Sequence, residues 1–302
     1  MLSIEPTGKI LGATIRGIDL SKPMSDPDFG RILLAVGRYG VVRFPDQTLS
    51  PAQQAAFTAR FGELQKKVNG PHEPGMPEVS IISNIVENGH NIGATDAGLI
   101  WHRDMTYCTP VGFANVLHAH KVPRRDGKAL GNTEFLNTRQ AYVDLPDDVK
   151  RGLEGTVGIN NSDLYNNNAR AAGSKRPAFT GERKKNAAML AHPIVMTHPI
   201  VGDKVLYCDP SHVERIEGLR EGDAEEMLEF LVEHQLQPKY LYAHTWTEGD
   251  VLMWDNLSSL HRVVLDYNLD EHRLMKRCQA YGDKIWNPGF IKEALSHVEE
   301  AI

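Results

Sequence analysis

Val111-Gly112-Phe113-Ala114-Asn115-Val116-Leu117-His118-Ala119-His120 reads as a strand rich in apolar residues. It opens a series. Gly131 to Leu136, Val205 to Cys208, Val251 to Trp254 and Leu274 to Tyr281 carry the same signature. Upstream, Val79 to Ile85 reads as a strand, Gly40 to Phe44 as a β-branched one ended by Pro45, and Lys9 to Leu20 as one or two short ones. Helices are fewer. Phe29, Ile32, Leu33 and Val36 make a helical stripe over Asp26 to Tyr39, with Asp26 or Asp28 near its start as cap. Ser50-Pro51 opens a second helix, with Ser50 as N-cap, Pro51 at the first helical position and Gly62 just past the end. Its stripe rests on Phe57 and Phe61, four apart on one face. Asn137 to Leu145, continuing past Pro146 to Leu153, and Asp223 to Gln235 are also helical. The pattern predicts a mainly β fold, a sandwich or open barrel with helices packed outside.

The chain has 302 residues and 41% hydrophobic content, enough for a substantial core, and a single domain over 1–302 is the expectation. A formal charge of -6 argues against a nucleic-acid surface. Arg183-Lys184-Lys185 is a solvated loop face. Cys108, Cys208 and Cys278 lie far apart, with no C-x-x-C pair, which fits a reducing cytoplasm. The N-terminus lacks a signal-peptide pattern. No apolar run approaches the roughly 18–20 residues of a membrane span. Residues 160–186 differ in composition, rich in Asn, Lys, Arg, Gly and Ala, and are expected to form a lid insert or an irregular loop.

The chemistry starts at Trp101-His102-Arg103-Asp104. In an extended segment residues two apart share a face, so His102 and Asp104 can approach one ion while Arg103 points away. H-x-D alone is a weak signal in a chain with 13 histidines. A protein-kinase loop is excluded, because that loop needs Asn where Thr109 stands. Trp254-Asp255-Asn256 followed by His261 offers a second imidazole. Two histidines and one carboxylate form the facial triad of non-haem iron(II) oxygenases, with three metal positions open. Arg273 and Arg277 then follow, an even number apart and so on one strand face; a guanidinium there can take a carboxylate with two parallel hydrogen bonds.

Taken together, these pieces resemble the TauD/TfdA family of Fe(II)/2-oxoglutarate-dependent dioxygenases, which includes taurine dioxygenase and 2,4-dichlorophenoxyacetate dioxygenase. Tyr39 to Phe44, Leu49 to Phe57, Phe61-Gly62, Trp101 to Tyr107, Gly131-Asn132-Thr133, Trp254 to Asn256, His261, Arg273 and Arg277 match in order, from about residue 9 to residue 285. The resemblance implies a distorted double-stranded β-helix, or jelly roll. It implies His102, Asp104 and His261 as iron ligands, and Arg273 with Thr133 on the distal carboxylate of 2-oxoglutarate. It implies Arg277 on the substrate anion, and O2 as the other co-substrate. Asp104 in the ligand position that related halogenases leave empty implies hydroxylation. The substrate is then a small organic anion, such as a sulfonate, carboxylate or aryloxyalkanoate. Family members are commonly dimers or tetramers. Two departures stand out. Asn132 replaces a frequent Asp, and the gap from His261 to Arg273 is one residue longer than in taurine dioxygenase, a place where the strand can bulge.

Other candidates are weaker. His72 follows Asn69-Gly70-Pro71 where the family places a substrate contact, so it is either that contact or a loop residue. Tyr107 either lines the pocket or packs a core strand. His118 and His120 read as structural or surface residues, His192 and His198 as loop residues, and Trp101 and Trp254 as buttresses of the metal loops. Two readings from other classes compete. A zinc hydrolase could use the same ligands, but it has no need of Arg273 and Thr133. A jelly-roll binding protein without catalysis would be marked by loss of a ligand, and no ligand is lost.

Overall fold

In the computed structural model, residues 2–67 and 70–299 are described. The stretch quoted first is the middle of the molecule. Gly112–Lys121 pairs antiparallel with Val251–Asp255 on one side and Leu274–Tyr281 on the other. These strands anchor an eight-stranded sheet. It runs Ser3–Pro6, Ala13–Arg16, Val41–Phe44, Val251–Asp255, Gly112–Lys121, Leu274–Tyr281, Met76–Ser83 and His72–Glu73. Every residue of Val251–Asp255 is buried, which explains its unbroken apolar reading. A second sheet of Leu241–His244, Thr133–Asn137 and Ser259–Val263 faces the first. Phe135 and His261 from that sheet meet Trp254 from the large one, at ring separations of 5.5 and 4.9 Å. The fold is mainly β with flanking helices, as expected.

The helix Asp26–Tyr39 buries Ile32, Leu33 and Val36 completely. Its cap is Ser25, not Asp26 or Asp28: the Ser25 hydroxyl accepts from the Asp28 N–H at 3.2 Å, and Pro27 then sits inside the first turn, where its missing N–H costs nothing. The helix Pro51–Ala59 starts as read, with a reciprocal capping box between Ser50 and Gln53 worth about 1 kcal/mol. Gln54 on this helix is buried, and its amide donates to the carbonyls of Val116 and Lys276, which ties the helix to both central strands. Gly62 serves another purpose than ending the helix. A Cβ there would sit 2.0 Å from the Tyr281 carbonyl oxygen, so only glycine lets the chain pass this close to the strand Leu274–Tyr281. The predicted helix over 137–153 is two, Thr138–Val143 and Asp147–Gly152, divided at Pro146 as the ring demands.

Residues 160–186 are more ordered than their composition suggests. They hold the end of the strand Val157–Asn161 and the helices Ser162–Ala171 and Gly181–Lys185. Asn161 caps the first helix, accepting from the N–H groups of Asp163 and Leu164.

Candidate metal centre and substrate cavity

The two histidines of the sequence motif are direct cross-strand partners. His102 donates its N–H to the His261 carbonyl at 3.1 Å, and His261 returns the bond at 2.9 Å. Asp104 lies two residues on. Its Oδ1 is 3.8 Å from His102 Nε2, and its Oδ2 is 3.5 Å from His261 Nε2. The three ligand atoms all lie within 4.8 Å of one another. Backbone and second partners aim them. His102 Nδ1 meets the Ile100 carbonyl at 2.8 Å; a carbonyl only accepts, so Nδ1 carries the proton and Nε2 keeps its lone pair for a metal. Burial, then the neighbouring His261, pushes His102 down to about 3, so it stays neutral as a ligand must be. Burial alone would raise Asp104, but Arg277 first and then His261 hold it well below the usual carboxylate range. Arg103 points away, as read. Its guanidinium donates to Thr138 Oγ1 and the Leu206 carbonyl, lies over the Tyr207 ring, and its N–H reaches Asp209.

One cavity beside this centre is lined by His102, Thr133, His261, Arg273 and Arg277, with Trp254 and Leu117 as apolar wall. Arg273 is 3% exposed, and among the described residues no carboxylate lies within 4.0 Å of it. Its Nε has no partner. A buried guanidinium without a counter-charge is costly, and this one is aimed where an anion can supply the charge. Gly131, at φ +71°, lets the backbone pass beside it: a Cβ there would stand 3.2 Å from Arg273 Nε. The strand does bulge at Leu274 and Met275, as the longer gap suggested, yet Arg273 still reaches the cavity. The Thr133 hydroxyl accepts from Trp246 Nε1 at 3.0 Å, which leaves its own proton to donate.

A second cavity of about 250 Å³, lined by Asp104, adjoins the first and shares His102 and Arg277 with it. Tyr107 lines it, and burial raises its phenol above the ordinary range, so it stays a neutral donor. Arg277 donates to Asp104 Oδ2 at 3.0 Å. His72 does not line it. That imidazole sits on the edge strand His72–Glu73, with Nδ1 against the Glu73 carbonyl, and the neighbouring Gly70 and Pro71 take the cavity wall instead. Lys67, Tyr165 and Arg176 are the residues that sequence reasoning missed. Tyr165 stacks flat on His212, with ring centroids 4.5 Å apart, and lies 5.4 Å from the His102 ring. His212 in turn meets Asp209 at 3.1 Å. His192 lies on the strand Met189–Pro193 and not in a loop, whereas His198 is a loop residue as read, its Nδ1 accepting from the Ile200 N–H. His192 Nε2 reaches the Thr106 carbonyl, and His198 is fully buried against Asp255 at 2.9 Å. His118 is structural, buried and packed at a tilt against the His120 ring, with centroids 4.3 Å apart.

Residues 3–279 match the model of the taurine catabolism dioxygenase, TauD/TfdA family. The chain belongs to that family. It is 30% identical to the alpha-ketoglutarate-dependent 2,4-dichlorophenoxyacetate dioxygenase of Cupriavidus pinatubonensis, over 93% of this chain and 98% of that one. It is 31% identical to the (S)-phenoxypropionate/alpha-ketoglutarate-dioxygenase of Delftia acidovorans, over 86% of this chain and 89% of the relative. Among solved structures it resembles AAD-2 in complex with Mn(II) and N-oxalylglycine, with a TM-score of 0.74 and 27% identity, covering 93% of this chain and 98% of that one. The protein is therefore a 2-oxoglutarate-dependent dioxygenase that uses iron(II), with 2-oxoglutarate and O2 as co-substrates. The donor set fits that metal: two neutral imidazoles and one carboxylate converge, and the unpaired Arg273 lies in the adjoining cavity. Among the described residues, no helix is long and apolar enough to cross a membrane.

Proposed function

We propose that His102, Asp104 and His261 hold the iron, and that Arg273 with Thr133 holds the distal carboxylate of 2-oxoglutarate. Arg277 and Tyr107 then face a small organic anion in the second cavity. The chain is one domain built as a distorted double-stranded β-helix, and residues 160–186 are its lid. Bound iron(II) supplies activation of O2, coupled to conversion of 2-oxoglutarate to succinate and CO2 and to delivery of one oxygen atom to a substrate carbon. The residues supply position. Arg273 presents two parallel N–H groups to a carboxylate, and Thr133 adds its hydroxyl proton from the facing sheet. Arg277, which lines the second cavity, would meet an anionic substrate group there. The buried walls keep water from the reacting carbon. Where the new hydroxyl lands beside an oxygen, nitrogen or sulfur substituent, the product breaks apart at that bond.

The observation that carries this reading is the buried, unpaired Arg273 in a cavity that also reaches both histidines of the triad. A hydrolase has no use for such a clamp. The relatives named for aryloxy acids and the family model named for taurine support an anionic substrate. The test is succinate release with iron(II) and O2 across sulfonates, aryloxy acids, sulfate esters and amino acids. Stimulation by one class supports the reading and names the group. Protein that binds zinc but neither iron nor 2-oxoglutarate would overturn it.

A further inference from the structure

The second cavity has an unusual charge balance. Lys67, Arg176 and Arg277 line it, against Asp104 as the one lining carboxylate. Among the described residues, neither Lys67 nor Arg176 has a carboxylate within 4.0 Å, and Arg277 has only Asp104. In the loaded enzyme, iron(II) and Asp104 together are offset by 2-oxoglutarate and Arg273. The three basic side chains are then left over. Lys67, pushed down to about 7 by burial, can shed its charge, but Arg176 and Arg277 cannot, so a single negative charge on the substrate would leave one of the two guanidiniums without a partner.

The cations hang on three separate parts of the fold. Arg277 rises from the central strand Leu274–Tyr281. Lys67 comes from the loop after the helix Pro51–Ala59, half-buried, and burial followed by repulsion from Arg277 pushes it down to about 7, with Arg176 a weaker contributor. Lys67 and Arg277 line this cavity together with Asp104. Arg176 belongs to the insert. Its guanidinium lies over the Tyr165 ring at 5.0 Å, and its Nε donates to Ser174 Oγ at 3.0 Å. Asp96, in the loop just after the isolated bridge at Ala94, pins this segment, accepting from Ser174 Oγ at 2.7 Å and the Lys175 N–H at 2.6 Å. Asp96 keeps its negative charge in these bonds and reaches Arg176 only through Ser174 Oγ, so it makes no direct ion pair with the guanidinium. Between the basic groups, Pro71, Ile81, Ile82, Ala94 and Ala97 make an apolar wall.

We propose that the substrate is an organic diacid: one acidic group meets Arg277 and Lys67 beside the metal, and a second, across a short apolar spacer, meets Arg176 on the insert. This rests on the reading of the site under Proposed function. It makes Arg176 the residue that selects diacids over monoacids of the same length. It also gives the insert a task, since the second acidic group is bound only where the insert covers the cavity.

The test uses matched pairs: alkanesulfonates against sulfocarboxylates, alkanoates against α,ω-dicarboxylates, and phenoxyacetate against its ring-carboxylated form. Succinate release gives kcat/KM, and anaerobic calorimetry on the iron- and 2-oxoglutarate-loaded enzyme gives affinity without turnover. A charged hydrogen bond of this kind is worth about 10- to 100-fold, so the diacid of the best pair is expected to exceed its monoacid by that factor in both measurements. Arg176→Gln is expected to collapse the diacid-to-monoacid ratio towards one, chiefly through KM, and Arg176→Lys to restore part of it. Iron and 2-oxoglutarate affinity, measured separately, serve as the control for folding and for the site reading. If both bind normally yet monoacids are preferred, or the ratio survives Arg176→Gln, this inference fails alone. If neither binds, the reading of the whole site fails with it.

Discussion

The two cavities beside the triad share His102 and Arg277 but differ in the walls that complete them. The wall that holds Thr133, Arg273, Trp254 and His261 comes from paired strands, or from residues directly adjoining them, in two facing sheets. The cavity with Lys67, Tyr165 and Arg176 is closed by a loop and by the helical insert. Strand registers fix side chains through many shared backbone bonds, whereas loops can vary without disturbing the sheets. A co-substrate common to a family belongs on the first kind of wall, and a substrate that differs between members belongs on the second.

That contrast can be broken by mutation. The largest effect is expected at the centre both cavities share. His102→Ala or Asp104→Ala removes a metal ligand and should cost more than the about 10- to 100-fold typical of changes to ligand-supporting residues, reaching undetectable turnover with iron lost in metal analysis. Full activity in either variant would sink that ligand's assignment. Next comes the strand-built wall. Arg273→Ala should raise the KM for 2-oxoglutarate by about 100-fold, with a much smaller change for substrate, because it deletes a charged two-point contact. If substrate binding collapses instead, the two arginines have exchanged roles. Arg277→Gln should show the opposite split, raising substrate KM by about 10- to 100-fold in steady-state kinetics.

The smallest effect sharpens the comparison through pH. Lys67 is held down to about 7, mainly by burial. Below that pH it is protonated and attracts an anion; as pH rises through 7 towards 9 it loses its charge. Substrate KM should therefore climb a few-fold over that window, while the KM for 2-oxoglutarate stays flat. Lys67→Met should flatten the substrate curve. A curve that climbs equally in this variant would assign the dependence to another group.

Legibility followed the same division. The candidate triad could be read because His102 and Asp104 lie two apart, although in the structure Asp104 belongs to a turn after the His102 bridge and not to a strand, and because His261 and Arg273 fall at spacings the family shares. The capping box at Ser50 and Gln53 was local and readable. His72 misled, because its sequence neighbourhood resembles the family's substrate loop while its ring turns to the Glu73 carbonyl on an edge strand. Lys67 and Arg176 gave no signal: each is an ordinary basic residue in a polar stretch until another element folds over it. Tyr165 was hidden in an Asn-rich run that looked irregular but folds into a capped helix stacked on His212.

By itself, the sequence determined the central strands, the extent of the first two helices and a candidate metal-binding set, because those depend on periodicity and short spacings along the chain. Only the tertiary structure decided that His102 and His261 exchange backbone hydrogen bonds, that Arg273 is buried without a counter-charge, and that three cations from three separate elements surround one cavity. Those facts depend on which distant segments come into contact. Burial and charge balance are properties of the assembled pocket, and no single stretch of the chain carries them.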